Sequence, residues 1–370
     1  MESATKVCVA SGIFPPDTGG PAKFAESFLK WGTNNNVRID CISLTDKDTQ
    51  TVVIEKSQVN LITRQQSLFF RYVATVNTIS RKMIEGYTVL ANGLFLETWF
   101  SHLLTRKSYI CKIPGDIVWE RARNRKLTES DIFKFQDEIL PWRYRLFRFL
   151  FTHSLRGASK VIAPSLQLQH LCIKWGVRPE RIHLIHNSID TEKFLARSQK
   201  KVFDVVVVNR LVPWKHVGEI MQACYEQQLS LLIIGDGPER QTLEAKSTRL
   251  GNITFAGQRT QDELPGLMSQ AKCFVLNSSF EATSYSLLEA RSLGLFCIAS
   301  AGTGSEEVIT HMVDGLLCGK NGVSLSEALR IFKADPVFVS QASDFAQRDT
   351  RKRFSILSNY PAIYRLFGDL

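Results

Sequence analysis

Two glutamates eight positions apart, Glu281 and Glu289, and two cations five apart, Arg210 and Lys215, are the side chains of this 370-residue chain whose types and placement suggest chemistry. Glu281 falls in the polar segment after the apolar run 273–276, which reads as a buried parallel strand. Glu289 falls in the second turn of a helical pattern through Leu287, Leu288, Ala290 and Leu293. Thr283, Ser284 and Ser286 supply capping hydroxyls at that helix start, where backbone N–H groups lack helical partners and attract an anion, most often phosphate. Carboxylates beside such a site would accept hydrogen bonds from hydroxyl groups of the same ligand, so the stretch suggests a phosphorylated polyol such as a nucleotide sugar. It is equally a capped helix with one exposed Glu. Arg210 and Lys215 follow the apolar run 203–209 at a strand's carboxyl end, where a guanidinium and an ammonium can hold a diphosphate; as surface charges they would carry no function.

These residues need strands to place them. Apolar runs at 6–14, 38–44, 59–62, 88–92, 109–113, 160–164 and 182–185 alternate with helical patterns such as 67–84 and 166–175, which predicts an α/β domain. A second alternating series begins at 203 and continues through the runs 231–234, 253–257, 273–276 and 296–300, several with Gly-rich exits. The first run leads into Pro15-Pro-Asp-Thr-Gly-Gly-Pro21 and a helix, the opening of a Rossmann-like βα unit, and Gly19 and Gly20 lack the Cβ that would keep backbone from a phosphate. Asp116, after the strand 109–113, is placed to meet an acceptor hydroxyl or to stabilise its own turn. The predicted domains are residues 1–197 and 202–353, with 196–201 as linker and a terminal helix, 354–370, packing back on the first.

Hydrophobic content of 44% and charged content of 22% are those of a globular protein. The net charge of +10 is concentrated in the first half: residues 1–200 hold 29 Lys+Arg against 18 Asp+Glu, and the remainder 17 against 18. That asymmetry points to an acidic partner for the N-terminal half, and the interleaved Arg and aromatic residues at 142–151 fit an anionic membrane surface or a partly buried core helix. No nucleic-acid motif accompanies the charge. Eight scattered cysteines read as buried free thiols in a reducing compartment, and neither a signal peptide at residues 1–9 nor a spanning segment is found. The expected location is therefore cytoplasmic, peripheral at the inner membrane face if the charge argument holds. His183, His186 and His216 lack metal-ligand spacing, and Asp46-Lys-Asp48 reads as a solvated loop, so neither metal nor cofactor is expected.

Taken together the pieces resemble the retaining glycosyltransferases of family 4, almost end to end. The resemblance rests on Asn209-Arg-Leu-Val-Pro-Trp-Lys215, Gly235-Asp-Gly-Pro238, Phe255-Ala-Gly257 and the Glu281/Glu289 pair in order, with the Gly19-Gly20 loop before them. It implies the GT-B fold: two Rossmann-like domains facing each other across a cleft, the first on the acceptor side and the second binding nucleotide sugar. It also implies that Arg210 and Lys215 bind the donor diphosphate, that Glu281 touches the transferred sugar and that Glu289 holds the ribose. Backbone near Gly20 and at Ser284, Tyr285 and Ser286 would complete the diphosphate cradle, with Asn209 and Gly235 in the motifs around it and Gln258 and Arg259 near the base. Ala282 and Asn209 stand where the family usually or often has Gly, which bears on local loop shape. The implied activity is metal-independent transfer of a hexose, from a UDP-sugar by preference, to a saccharide or lipid-linked acceptor in surface polysaccharide or glycolipid assembly. A GT-B nucleotide-sugar epimerase and a non-catalytic glycan-binding subunit of a synthase are the alternatives.

Overall fold

The computed structural model describes residues 5–195, 199–319 and 322–368. Of the run 196–201 expected to link the domains, 196–198 lie outside these residues, as do 1–4 and 369–370. The chain divides into two compact units: one runs to His186 and takes in Asn359 onward, and the other is Asn187–Ser358.

The first unit holds eight strands: β1 (Lys6–Ser11), β2 (Ile39–Thr45), β3 (Gln50–Ile54), β4 (Ser57–Thr63), β5 (Tyr87–Asn92), β6 (Tyr109–Lys112), β7 (Lys160–Ala163) and β8 (Ile182–Leu184). Their order is β3-β4-β2-β1-β5-β6-β7-β8, and every pairing is parallel except the β3–β4 hairpin. β1 pairs with β2 on one side and β5 on the other, so the sheet order reverses there and leaves a crevice at the strands' carboxyl ends. The loop after β1 opens onto that point.

The helix Ile356–Gly368 belongs to this unit through its later turns. Its fully buried Tyr360 meets Phe24, Phe28 and Trp31 edge-on at 5.8, 5.2 and 6.1 Å, while those three rings stack along their own helix at 5.3 and 5.5 Å. Edge-to-face contact sets the positive ring edge against the negative face. Lys160 Nζ donates to Leu366 O at 2.8 Å.

The second unit holds β9 (Phe203–Val208), β10 (Leu231–Ile234), β11 (Ile253–Gly257), β12 (Ala271–Leu276), β13 (Phe296–Ser300) and β14 (Leu316–Cys318), all parallel in the order β11-β10-β9-β12-β13-β14. The run of valines in β9 is explained by burial on both faces: Val205 and Val207 pack into one layer with Val217, Ile220 and Met221, and Val206 into the other with Leu287 and Leu288. Here the order reverses between β9 and β12. Two strands, β3 and β14, are additions to the sequence reading. All eight cysteines are buried and free, as expected.

Candidate functional site

In the second unit the loops after β9 and β12, on either side of the reversal, carry Arg210, Lys215 and Glu281. Lys215, in the short 3-10 turn Pro213–Lys215, donates from Nζ to Glu281 Oε1. Both side chains are mostly buried, at 16% and 12% exposure, so water screens the pair little. The loops are also tied by Ser279 N donating to Trp214 O at 2.9 Å, and His216 Nε2 and Ser279 Oγ lie 2.7 Å apart. Arg210, nearer the strand end, is exposed.

Backbone packing fixes the shape of these loops. Gly304 N donates to Glu281 O at 2.9 Å, and a Cβ on Gly304 would lie 2.2 Å from Ala282 O, so this approach requires glycine. Ala282 itself is buried. After β10, Gly235 has φ +138°, and its Cβ would lie 1.8 Å from Asn209 O; the same close approach lets Asn209 N donate to Ile234 O at 3.1 Å. Asn209 thus borders the loop of Gly235, two strands' ends held together by main chain.

The helix Tyr285–Ser292 begins at Ser284, whose side chain makes no capping hydrogen bond: the Ser284 and Ser286 hydroxyls lie 3.2 Å from each other instead. The expected Ser284 cap is therefore not made, which suits an anion in its place. Glu289, buried on the next turn, accepts a hydrogen bond from Gln261 Nε2 at 2.6 Å. Two residues on, the wholly buried Arg291 donates to Asp314 Oδ2 at 2.8 Å and Asp349 Oδ2 at 3.2 Å, which holds the helix that presents Glu289. Gln258 is exposed, and Arg259 is tied to its own segment, donating to Ala256 O at 2.9 Å and Glu263 Oε1 at 3.3 Å.

Gly19, Gly20 and Asp116 belong to the first unit. Gly19 takes φ +149° ahead of the helix Gly20–Asn34, whose start also has no side-chain cap and has Pro21 in its first turn. Asn92 Nδ2 anchors this turn through Pro21 O at 2.9 Å. Asp116 is buried and fully engaged: Oδ1 accepts from Val118 N and Trp119 N at 2.9 and 3.1 Å, capping the helix Ile117–Asn124, and Oδ2 accepts from Gln136 Nε2 at 2.9 Å. Burial pushes its carboxyl above the usual range, against the lowering effect of these hydrogen bonds. Asp46 pairs with Arg64 at 3.1 Å on the surface. Among the described residues no group of three or more His, Cys, Asp or Glu side chains is placed to hold a metal ion.

Residues 188–352 match the model of glycosyl transferases group 1, and residues 127–193 that of Glycosyltransferase Family 4. The two stretches join to span residues 127–352, and over them the chain is similar to the glycosyltransferases of these two groups. It is 34% identical over 159 residues to the lipopolysaccharide core biosynthesis glycosyltransferase LpsD of Rhizobium meliloti, covering 41% of this chain and 46% of that protein. It is 26% identical over 249 residues to the UDP-Gal:α-D-GlcNAc-diphosphoundecaprenol α-1,3-galactosyltransferase of Escherichia coli, covering 61% of this chain and 64% of that one. The chain spans about half the length of the curated relatives it matches. In fold it is similar to Anabaena HepE, crystallised with UDP and glucose, at a TM-score of 0.78 over 99% of this chain and all of that one, with 18% identity. The two Rossmann-like units are those of the GT-B fold.

Three features of this site are absent from the sequence reading. Gln261 as partner of Glu289 has no local signal, since 28 residues separate the two. Arg291 looks like any helical cation in sequence; its position two residues after Glu289 is the only hint. Gly304 stands in a Gly-rich exit that was visible, but its role against Glu281 and Ala282 depends on strand order.

Proposed function

We propose that this glycosyltransferase moves a sugar from a nucleotide diphosphate sugar, preferentially a UDP-sugar, to a hydroxyl of a saccharide or lipid-linked acceptor, with retention at the anomeric carbon and without metal. The observation that carries the reading is the Lys215–Glu281 pair at the β9/β12 reversal, with Arg210 on the same loop and Glu289 on the helix that follows. In open α/β sheets ligands bind where the strand order reverses, and cations and acids stand together there.

Lys215, Arg210 and the start of the helix Tyr285–Ser292 supply positive potential for the diphosphate, which gains charge as the bond from C1 to the phosphate oxygen breaks. A diphosphate beside Lys215 competes for its ammonium, which turns Glu281 toward the sugar hydroxyls. Glu289 accepts from the ribose hydroxyls alongside Gln261. As the acceptor oxygen bonds to C1, its proton passes to the departing phosphate oxygen, so no protein base is required. Gly235, Asn209 and residues 284–286 shape the cradle, and Gln258 and Arg259 border the base. Asp116, in the first domain, acts by orienting the helix it caps. Products of surface polysaccharide or glycolipid assembly fit this chemistry, with the protein peripheral at a membrane through its basic N-terminal half.

The test is to incubate the protein with UDP-, GDP- and ADP-sugars, measure release of free nucleotide diphosphate, and read the anomeric configuration of the transferred sugar by NMR. Release from one class with an α-linked product from an α-donor is expected. Failure to bind or turn over any of them overturns the reading.

A further inference from the structure

The helix Trp142–Arg156 has two apolar faces. Phe151 and Leu155 point into the first unit's core, while Trp142, Leu146 and Phe149, spaced at four and three residues, face solvent; Trp142 is 68% exposed. A helix buried on one side ordinarily turns polar residues to water on the other. Here the outward stripe is flanked by Arg143 and Arg145, and the helix contains four Arg and no acidic residue.

The stripe continues across neighbouring helices. Phe149 lies 3.9 Å from the His153 ring, His153 6.5 Å from Trp99, Trp99 5.1 Å from Phe100 and Phe100 5.7 Å from Tyr72, a path from Trp142–Arg156 over Phe95–Thr105 to Leu68–Ile84. At its far end Phe69 is 70% exposed, as is Leu104 on the middle helix. A basic border runs along the other side, where Arg121 lies over the Phe147 ring at 4.4 Å and Arg143 over Trp142 at 5.4 Å. Beside the stripe a surface pocket of about 630 Å³ sets Ile139 and Phe149 among Arg145 and Arg148, its lining also including Glu138 and Lys174, the latter paired with Asp137 at 2.7 Å. Such an expanse of exposed apolar surface in a soluble fold marks an interaction site. Aromatic rings bordered by arginines match a bilayer interface, whose acyl boundary takes the rings and whose anionic headgroups pair with the guanidinium groups. Among the described residues no helix is long and apolar enough to cross a membrane, so the contact would be in the plane of the surface.

We infer that this three-helix face of the first unit docks on an anionic phospholipid bilayer, with Trp142, Leu146 and Phe149 entering the headgroup layer. The assignment rests on the peripheral part of the function proposed above and is independent of its transfer chemistry.

Flotation with phosphatidylglycerol vesicles and with phosphatidylcholine vesicles tests it, comparing the natural chain with W142S/F149S and R143A/R145A. Each Lys or Arg near an anionic surface contributes on the order of 1 kcal/mol, so R143A/R145A is expected to lower partitioning roughly thirtyfold. W142S/F149S is expected to abolish flotation and the blue shift of tryptophan fluorescence on vesicle addition. Both variants should keep the natural melting temperature and nucleotide-sugar hydrolysis, because the substituted side chains are exposed. Flotation of both variants at the natural level overturns this face while leaving a peripheral protein; absence of flotation by the natural chain overturns the peripheral reading as well. Equal recovery on both lipids overturns the anionic partner. A concentration-dependent dimer abolished by W142S/F149S, without flotation, assigns the face to a second copy and overturns the lipid assignment.

Discussion

Replacing Lys215 by Met separates what the Lys215–Glu281 pair does for the fold from what it does for a donor. Removing one partner of a fully buried pair costs about 3–5 kcal/mol, because the remaining charge is stranded. Exposures of 16% and 12% allow some hydration of Glu281, which brings the expected loss to about 2–3 kcal/mol. In a unit of this size that lowers the melting temperature by roughly 5–10 °C. The double variant K215M/E281Q leaves no stranded charge and should recover most of that stability. Activity should behave differently: loss of a preorganised cation on the leaving group costs on the order of 10²–10³ in turnover, and the double variant should recover none of it. Calorimetry and initial-rate kinetics with UDP-glucose on the natural chain, K215M, E281Q and the double variant give both quantities. If K215M melts early but keeps kcat/KM within about threefold, the pair is structural and the proposed diphosphate contact is wrong.

Glu289→Gln keeps an acceptor for Gln261 but removes the charge proposed to meet ribose, so KM for a UDP-sugar should rise about tenfold or more; the rise should vanish with the 2′,3′-dideoxy nucleotide sugar. Gly304→Ala forces a methyl to within 2.2 Å of Ala282 O, and overpacking of this kind costs roughly 1–3 kcal/mol, to be seen in the melting temperature together with weaker donor binding by calorimetric titration. Burial pushes the Lys112 ammonium down to about 7 from its ordinary 10.5, with the Phe24 ring 4.6 Å away a partial offset. Between those values the unfolded chain holds a proton that the folded chain lacks, so stability rises with pH across that window and the full penalty applies below it. In thermal scans the natural chain should therefore gain melting temperature relative to Lys112→Met as pH rises from 7 toward 10.5.

The parallel strands were legible because burial on both faces forces continuous apolar runs, as in β9, β12 and β13. β3 escaped because an exposed edge strand, Gln50–Ile54, needs no such run, and β14 because three residues are too few for any period. At the site, sequence supplied residue types and the strand ends that bear them. It did not supply the contact of Lys215 with Glu281, 66 positions apart, nor that of Gln261 with Glu289, since both follow from parallel strands bringing distant loops to one edge. The Ser284 hydroxyl shows the limit of reading by residue type: in the right place to cap, it meets Ser286 instead.

Tyr360 closes an aromatic cluster begun by Phe24, Phe28 and Trp31, more than 300 positions earlier. During synthesis those three rings leave the ribosome long before the one that covers them, while all of Asn187–Ser358 emerges in the interval. The nascent chain can thus finish its second unit first, and its first unit must wait with an apolar helix face uncovered, a period in which a chaperone has a defined surface to hold.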